Sequence, residues 1–169
     1  MCCVKKGRMD LCEFDAIYLK YSPQIYRVCL GYFNNKETAD DLLQETFIAV
    51  WNNLSAFKNQ SAISTWIFRI ATNKCLRALE KSKRMPCLEI PDSIAEPLSE
   101  STEDQLCYLY ECIAELVETD RLIISLYLEN LDQAEIAVII GLTSVNVRVR
   151  LHRIREKLTI KFRANGRFE

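Results

Sequence analysis

The sequence predicts an all-α chain of two small helical domains joined by an acidic, proline-containing linker, the second domain being a helix-turn-helix. Three observations carry this: apolar residues recur at helical spacing almost throughout, charge changes sign sharply along the chain, and one segment near the C-terminus has the punctuation of two helices around a tight turn. Residues 1–84 hold 13 Lys+Arg against 8 Asp+Glu, and residues 121–169 hold 9 against 5. Between them, residues 85–120 hold none against 10, so the whole-chain net charge of -1 is a cancellation of two basic lobes by an acidic middle. The expected boundaries are a first domain over residues 10–84, a linker over 85–104 and a second domain over 105–165. The linker has three of the four prolines, no basic residue and no sustained helical period.

In the first lobe, residues 14–19 and 25–33 are apolar-rich helical stretches, separated at Ser22-Pro23 because proline suits the first turn of a new helix. The next helix starts near Asn34 or Asn35 and runs to about Leu54. Leu43, Phe47, Val50 and Leu54, at i, i+4, i+7 and i+11, form its buried stripe. Asp40, Asp41, Gln44 and Glu45 lie beside that stripe as an acidic patch on a basic lobe, either plain solvated surface or a binding site. A polar segment with Phe57 and Lys58 leads into a helix from about Thr65 to Arg84, with Ile63, Ile67, Ile70 and Ala71 inward. Arg69, Asn73, Arg77, Lys81 and Arg84 recur along its basic edge. Aromatics beside such an edge suit unpaired bases, which stack on rings while cations hold the backbone. Trp66 fits either the hydrophobic core or a stacking platform.

In the second lobe, Asp132 with Glu135 reads as a capping box, Ile136, Ile139 and Ile140 as a buried face, and Gly141 as the helix stop. Leu142 fills the turn and Thr143 or Ser144 caps the following helix. Val147, Leu151, Ile154 and Leu158 form that helix's inward stripe. Arg148, His152 and Arg155 make one flank and Asn146, Arg150, Arg153 and Lys157 the other, both able to reach phosphates. Val145 and Val149 point outward, which suits thymine methyl groups in a major groove.

Other chemistries find little support. The eight cysteines, at positions 2, 3, 12, 29, 75, 87, 107 and 112, contain no CxxC, and the single histidine lies in the recognition-type helix. Most cysteines read as buried small hydrophobes, with Cys2 and Cys3 as the exposed pair. Four scattered glycines make no phosphate-cradling loop, and one histidine makes no catalytic constellation. No enzyme, cofactor or metal is expected. The absence of an 18-residue apolar run or a signal-type N-terminus points to a cytoplasmic protein with no membrane insertion.

DDLLQETFIAVWNNLSAF at residues 40–57, STWIFRIATN at 64–73 and the basic helix-turn-helix ending VRLHRIREKL resemble the extracytoplasmic-function (ECF) sigma factors of bacterial RNA polymerase, in the family's order and spacing. The resemblance implies that Asp41, Leu42, Gln44 and Glu45 bind the clamp helices of the polymerase largest subunit. It implies that Phe57, Lys58, Asn59, Gln60, Ser61 and Ile63 belong to a loop capturing a flipped base of the minus-ten element, with Trp66, Arg69, Asn73 and Arg77 on the helix that helps open the duplex. Thr143, Ser144, Val145, Asn146, Arg148, Val149, His152 and Arg153 would read the minus-thirty-five element, and the acidic linker would run through the nucleic-acid channel. Core polymerase, promoter DNA and an anti-sigma factor are the implied partners of a chain that is monomeric when free. Departures from the family pattern are Arg77 where an acidic residue is common, Asn130 where glycine is frequent, no proline after Leu116, and Val149 in place of a small polar residue. Two other readings remain: a helix-turn-helix regulator that works without polymerase, and a redox or metal sensor built on Cys2, Cys3 and Cys12.

Overall fold

In the computed structural model the described residues are 11–57, 60–84 and 102–164, and they form seven α-helices. These are α1 (Leu11–Phe33), α2 (Lys36–Leu54), α3 (Ile63–Arg84), α4 (Thr102–Ala114), α5 (Glu118–Leu128), α6 (Gln133–Ile140) and α7 (Ser144–Ala164). The expected linker falls outside the described residues apart from its last three, which open α4. An acidic residue such as Asp104 in a first turn favours that start through the helix dipole. Among the described residues no helix is long and apolar enough to cross a membrane.

The first helix corrects the expected break at Ser22-Pro23. Here α1 runs unbroken for 23 residues with Pro23 inside it. Pro23 removes one hydrogen bond, to the carbonyl of Leu19, and both residues lie on the exposed side of the helix, away from its buried stripe. Ile17, Tyr21, Ile25, Val28 and Tyr32 are all buried, at steps of four, four, three and four. One stripe thus passes straight through the proline. Burying each such side chain contributes roughly 1.5–3 kcal/mol, which outweighs the roughly 3 kcal/mol that an interior proline costs.

Local chemistry sets the remaining ends. Asn34, at φ 51°, closes α1, and its N–H donates to the Leu30 carbonyl at 2.7 Å. Asn35 caps α2, its Oδ1 accepting from the Thr38 N–H at 2.8 Å. Asn130 stands at φ 63° before α6, so it adopts the left-handed turn that glycine would otherwise supply. The capping box of α6 is complete: Glu135 N–H donates to Asp132 Oδ1 at 2.7 Å, and Asp132 N–H to Glu135 Oε2 at 3.1 Å. Gly141 ends α6 at φ 73°, and Thr143 rather than Ser144 caps α7, its Oγ1 accepting from Asn146 N–H at 3.2 Å.

The helices pack with α1 in the middle. It lies against α2 and α3 on one side and against α4 and α5 on the other, while α6 rests on both α3 and α7. The buried apolar residues form a single cluster, from Ile25, Val50 and Ile67 in the first lobe to Ile123, Ile136 and Ile154 in the second. The seam between α1 and α5 also contains polar contacts. Arg27 Nε and Nη2 donate to the two oxygens of Glu129 at 2.7 and 2.6 Å, and Glu129 keeps only 5% of its side chain exposed. Arg121 donates to the carbonyls of Leu116 at 2.8 Å and Tyr32 at 3.3 Å, and Lys83 of α3 pairs with Glu118 at the start of α5. At Gly31 the helices come so close that an added Cβ would lie 2.5 Å from Ser125 Oγ.

Two outcomes are expected in urea unfolding. Gly141 has open space around a missing Cβ, so Gly141→Ala should cost about 1 kcal/mol for its left-handed backbone alone, and Gly141→Asn less. Arg27→Ala should cost about 2 kcal/mol, below the range for a fully buried pair because Arg27 is 47% exposed, since it strands a buried carboxylate. The paired change of Arg27→Met with Glu129→Leu should recover part of that loss.

Candidate functional site

Three surfaces carry the residues singled out in the sequence. On α2, Asp41, Gln44 and Glu45 are exposed on one face. Leu42 is not: at 4% exposure it belongs to the hydrophobic core and supports the patch from beneath. Leu42 is therefore part of the core, while it also lines the groove that Asp41 and Glu45 border. Half-buried Leu43 and fully sequestered Leu42 share the inward face with Phe47, Val50 and Leu54. Glu45 Oε2 accepts from Lys74 Nζ of α3 at 2.9 Å. Asp41, Glu45, Lys74, Arg77 and Lys81 thus line one groove of about 520 Å³ between α2 and α3. Arg77, which the sequence placed on a basic edge, faces the acidic patch as well.

The second surface follows the end of α2. Lys58 and Asn59 lie outside the described residues, while Gln60 and Ser61 are exposed and Ile63 is half-buried. Phe57 and Trp66 are both half-buried, their ring centroids 4.9 Å apart and their planes 35° from parallel. The two readings of Trp66 are therefore not exclusive, since one edge packs on the apolar cluster while part of the ring meets solvent. Along α3, Arg69, Asn73 and Arg77 are exposed, and Ile67 and Ala71 are buried with Ile63 and Ile70 only partly so. A basic edge beside a tilted pair of rings can hold a phosphate backbone and stack an unpaired base.

The third surface is α7. Val147, Leu151, Ile154 and Leu158 are buried as expected, and Phe162 extends the stripe by one more turn. Thr143, Ser144, Val145, Asn146, Arg148, Val149, His152 and Arg153 are all exposed, Val145 at 71% and Val149 at 44%. A solvent-facing valine pair framed by cations is poorly explained by solvation alone and suits an apolar and phosphate contact to a duplex groove. His152 Nδ1 lies 3.4 Å from Glu156 Oε2, and Arg148 Nε lies 3.5 Å from Gln133 Oε1.

One flank of α7 differs from the sequence reading. Arg150 is not a cation waiting for phosphate, because its Nη1 donates at 2.8 Å to Oδ1 of Asp120, a residue buried in the first turn of α5. Its Nε donates at 3.0 Å to Asn146 Oδ1. Asp120 thus holds a side chain of α7 although it precedes that helix by more than twenty residues. Helical spacing on α7 shows where Arg150 points but carries no sign of its partner on α5. The only available sequence signal was an aspartate beside the apolar run from Leu122 to Ile124 of α5.

Cysteine chemistry is divided by burial. Cys29, Cys75 and Cys112 are buried, whereas Cys12 and Cys107 are exposed. Cys2, Cys3 and Cys87 lie outside the described residues. Cys29 and Cys75 sulfurs lie 3.8 Å apart between α1 and α3. Hydrogen bonding to Cys29, together with burial, pushes the Cys75 thiol well above its ordinary range, which disfavours the reactive thiolate. Among the described residues no group of His, Cys, Asp or Glu is placed to hold a metal ion.

Comparison with known proteins adds to this geometry. Residues 17–85 match the sigma-70 region 2 family and residues 108–158 match the sigma-70 region 4 family. The chain is 31% identical to the ECF RNA polymerase sigma factor SigW of Bacillus subtilis, over 95% of this chain and 93% of that protein. Its fold is similar to that of CnrH solved in complex with the cytosolic domain of CnrY, with a TM-score of 0.72, 22% identity, and coverage of 92% of this chain and 90% of that one. It is also similar to the sigma factor RpoE of Bartonella quintana solved with the anti-sigma factor NepR, with a TM-score of 0.70, 20% identity, and coverage of 86% and 94%.

Proposed function

This chain belongs to the ECF sigma factors of the sigma-70 family, and on that footing we propose how its three surfaces divide the work of initiation. A sigma factor of this type directs core RNA polymerase to specific promoters and assists their opening. In the proposed division, residues 10–84 and 105–165 are the two working units. Asp41, Gln44 and Glu45 meet the clamp helices of the largest polymerase subunit, with Leu42 holding their helix in place. Phe57, Gln60, Ser61 and Ile63, with Lys58 and Asn59 of the same loop, capture a flipped base of the minus-ten element. Trp66, Arg69, Asn73 and Arg77 hold the opened strand. The exposed face of α7, from Thr143 to Arg153, reads the minus-thirty-five element.

The observation that carries this reading is the coexistence of two exposed faces on one chain: a capped helix with outward valines between cations, and an acidic patch on α2. A regulator that works without polymerase would use the first and leave the second without a task. Opening of the duplex requires no bond chemistry from this protein in such a scheme. Bases are unstacked at a cost of a few kcal/mol each, and aromatic stacking with phosphate neutralisation offsets that cost. The chain therefore acts in the cytoplasm by binding alone, as a monomer until it joins polymerase. The fold similarity to a sigma factor bound to an anti-sigma factor supports control of the same kind here, by a protein that covers the α2 patch or the DNA-reading faces.

The full-length Asp41→Ala, Glu45→Ala double variant tests the division. Affinity for core polymerase should fall about tenfold or more, since two charges leave the contact. Binding of the free chain to duplex DNA should not change. Unaltered core affinity in a folded variant would remove α2 from the polymerase interface.

A further inference from the structure

The acidic patch of α2 is not presented bare. Glu45 is already engaged inside the molecule, since its Oε2 accepts from Lys74 Nζ of α3 at 2.9 Å. Asp41, one helical turn earlier, makes no side-chain hydrogen bond or ion pair among the described residues. The groove that holds the Glu45 pair is lined by two carboxylates, Asp41 and Glu45, and by three cations, Lys74, Arg77 and Lys81. Its formal charge is therefore positive, beside a patch that the sequence of α2 alone makes negative.

Lys74 is the more confined partner, with 30% of its side chain exposed against 57% for Glu45. Part of the side-chain entropy that usually weakens an exposed pair is thus already lost to packing. A cation that arrives from a partner to pair with Glu45 meets Lys74 at the same carboxylate. It can displace Lys74, which breaks the internal pair, or share the carboxylate with it. Sharing is poor, because Coulomb energy falls with the inverse of distance, and a repulsion acting over about 5 Å cancels roughly half of an attraction acting over about 3 Å. Either way Lys74 subtracts from what Glu45 contributes to binding.

We propose that Lys74 is an intramolecular competitor for Glu45, a specificity-determining residue that lowers the affinity of α2 for a basic surface on core polymerase. The inference rests on the reading of α2 as the polymerase contact, and it specifies what limits one residue of that contact. Both penalties arise only while Glu45 seats the incoming cation. A partner residue that meets Glu45 as a neutral hydrogen-bond donor escapes the repulsion, whereas a lysine or arginine does not.

The test titrates the full-length chain with core polymerase and compares Lys74→Met, Glu45→Gln and the two changes together. Methionine keeps an unbranched apolar stem in the groove without the charge, and neither side chain is buried, so the fold tolerates both changes. Lys74→Met should bind core about three- to fivefold more tightly than the unaltered chain, the range open to an exposed ion pair. In the Glu45→Gln background the same change should gain less than about twofold, which marks an interaction carried by this pair. The gain should shrink as salt rises, because these charges are screened. Lys74→Arg should restore the wild-type affinity by restoring the competing charge. Affinity that is unchanged or weaker in Lys74→Met, or a gain of the same size without Glu45, overturns the proposal alone. Core affinity that ignores Glu45→Gln in both backgrounds overturns the assignment of Glu45 to the polymerase contact and this proposal together.

Discussion

Every surface this protein presents depends on α1 being one helix with two buried flanks. Its 23 residues run through Pro23 because the stripe from Ile17 to Tyr32 continues on both sides of it. One flank supports α2 and α3, which display the acidic patch and the basic edge. The other supports α4 and α5, and α5 in turn supports α7. A helix broken at Ser22-Pro23 would let the two halves of that stripe pivot, and nothing else among the described elements links α2 to α5 so directly.

Ile25, Val50 and Ile67 in one lobe, and Ile123, Ile136 and Ile154 in the other, belong to one apolar cluster, with the hydroxyls of Thr46 and Thr72 also buried in the first lobe. At the seam a bidentate ion pair is sunk between α1 and α5, and the hydroxyls of Tyr32 and Ser125 are buried without a hydrogen-bond partner in the structure. Burial pushes the Tyr32 phenol up to about 12, so it remains a neutral hydroxyl at any working pH. Interfaces between domains are commonly more polar than cores, and an unsatisfied hydroxyl regains water when such a seam parts. The faces of α2, α3 and α7 proposed as contact surfaces are exposed in the arrangement seen here.

Much of this was legible in the sequence because it is local. The helix start near Asn34 or Asn35, the box formed by Asp132 and Glu135, the stop at Gly141 and the stripe from Val147 to Leu158 each depend on residues close to one another in sequence. What the sequence did not show depends on distant neighbours. Pro23 looks like a boundary until α2 and α5 are seen burying the residues on both sides of it. Leu42 sits inside a motif whose other members point outward, and only the helical phase fixed by Phe47 and Val50 turns it in. Arg150 looks like a phosphate ligand until Asp120 arrives from α5. Trp66 was ambiguous because its ring does two things, packing on Phe57 and the apolar cluster while keeping an exposed edge. Asn130 illustrates the opposite case, a departure from the family pattern that the backbone absorbs at φ 63°.

The most direct test of the account is transcription itself. Core RNA polymerase would be assayed for binding to the purified full-length chain, then for run-off transcripts from fragmented genomic DNA of the source organism with and without it. The account predicts binding and a small set of discrete new transcripts that appear only when the chain is present. A folded chain that leaves core polymerase unbound and its transcripts unchanged, while still binding duplex DNA, would contradict it.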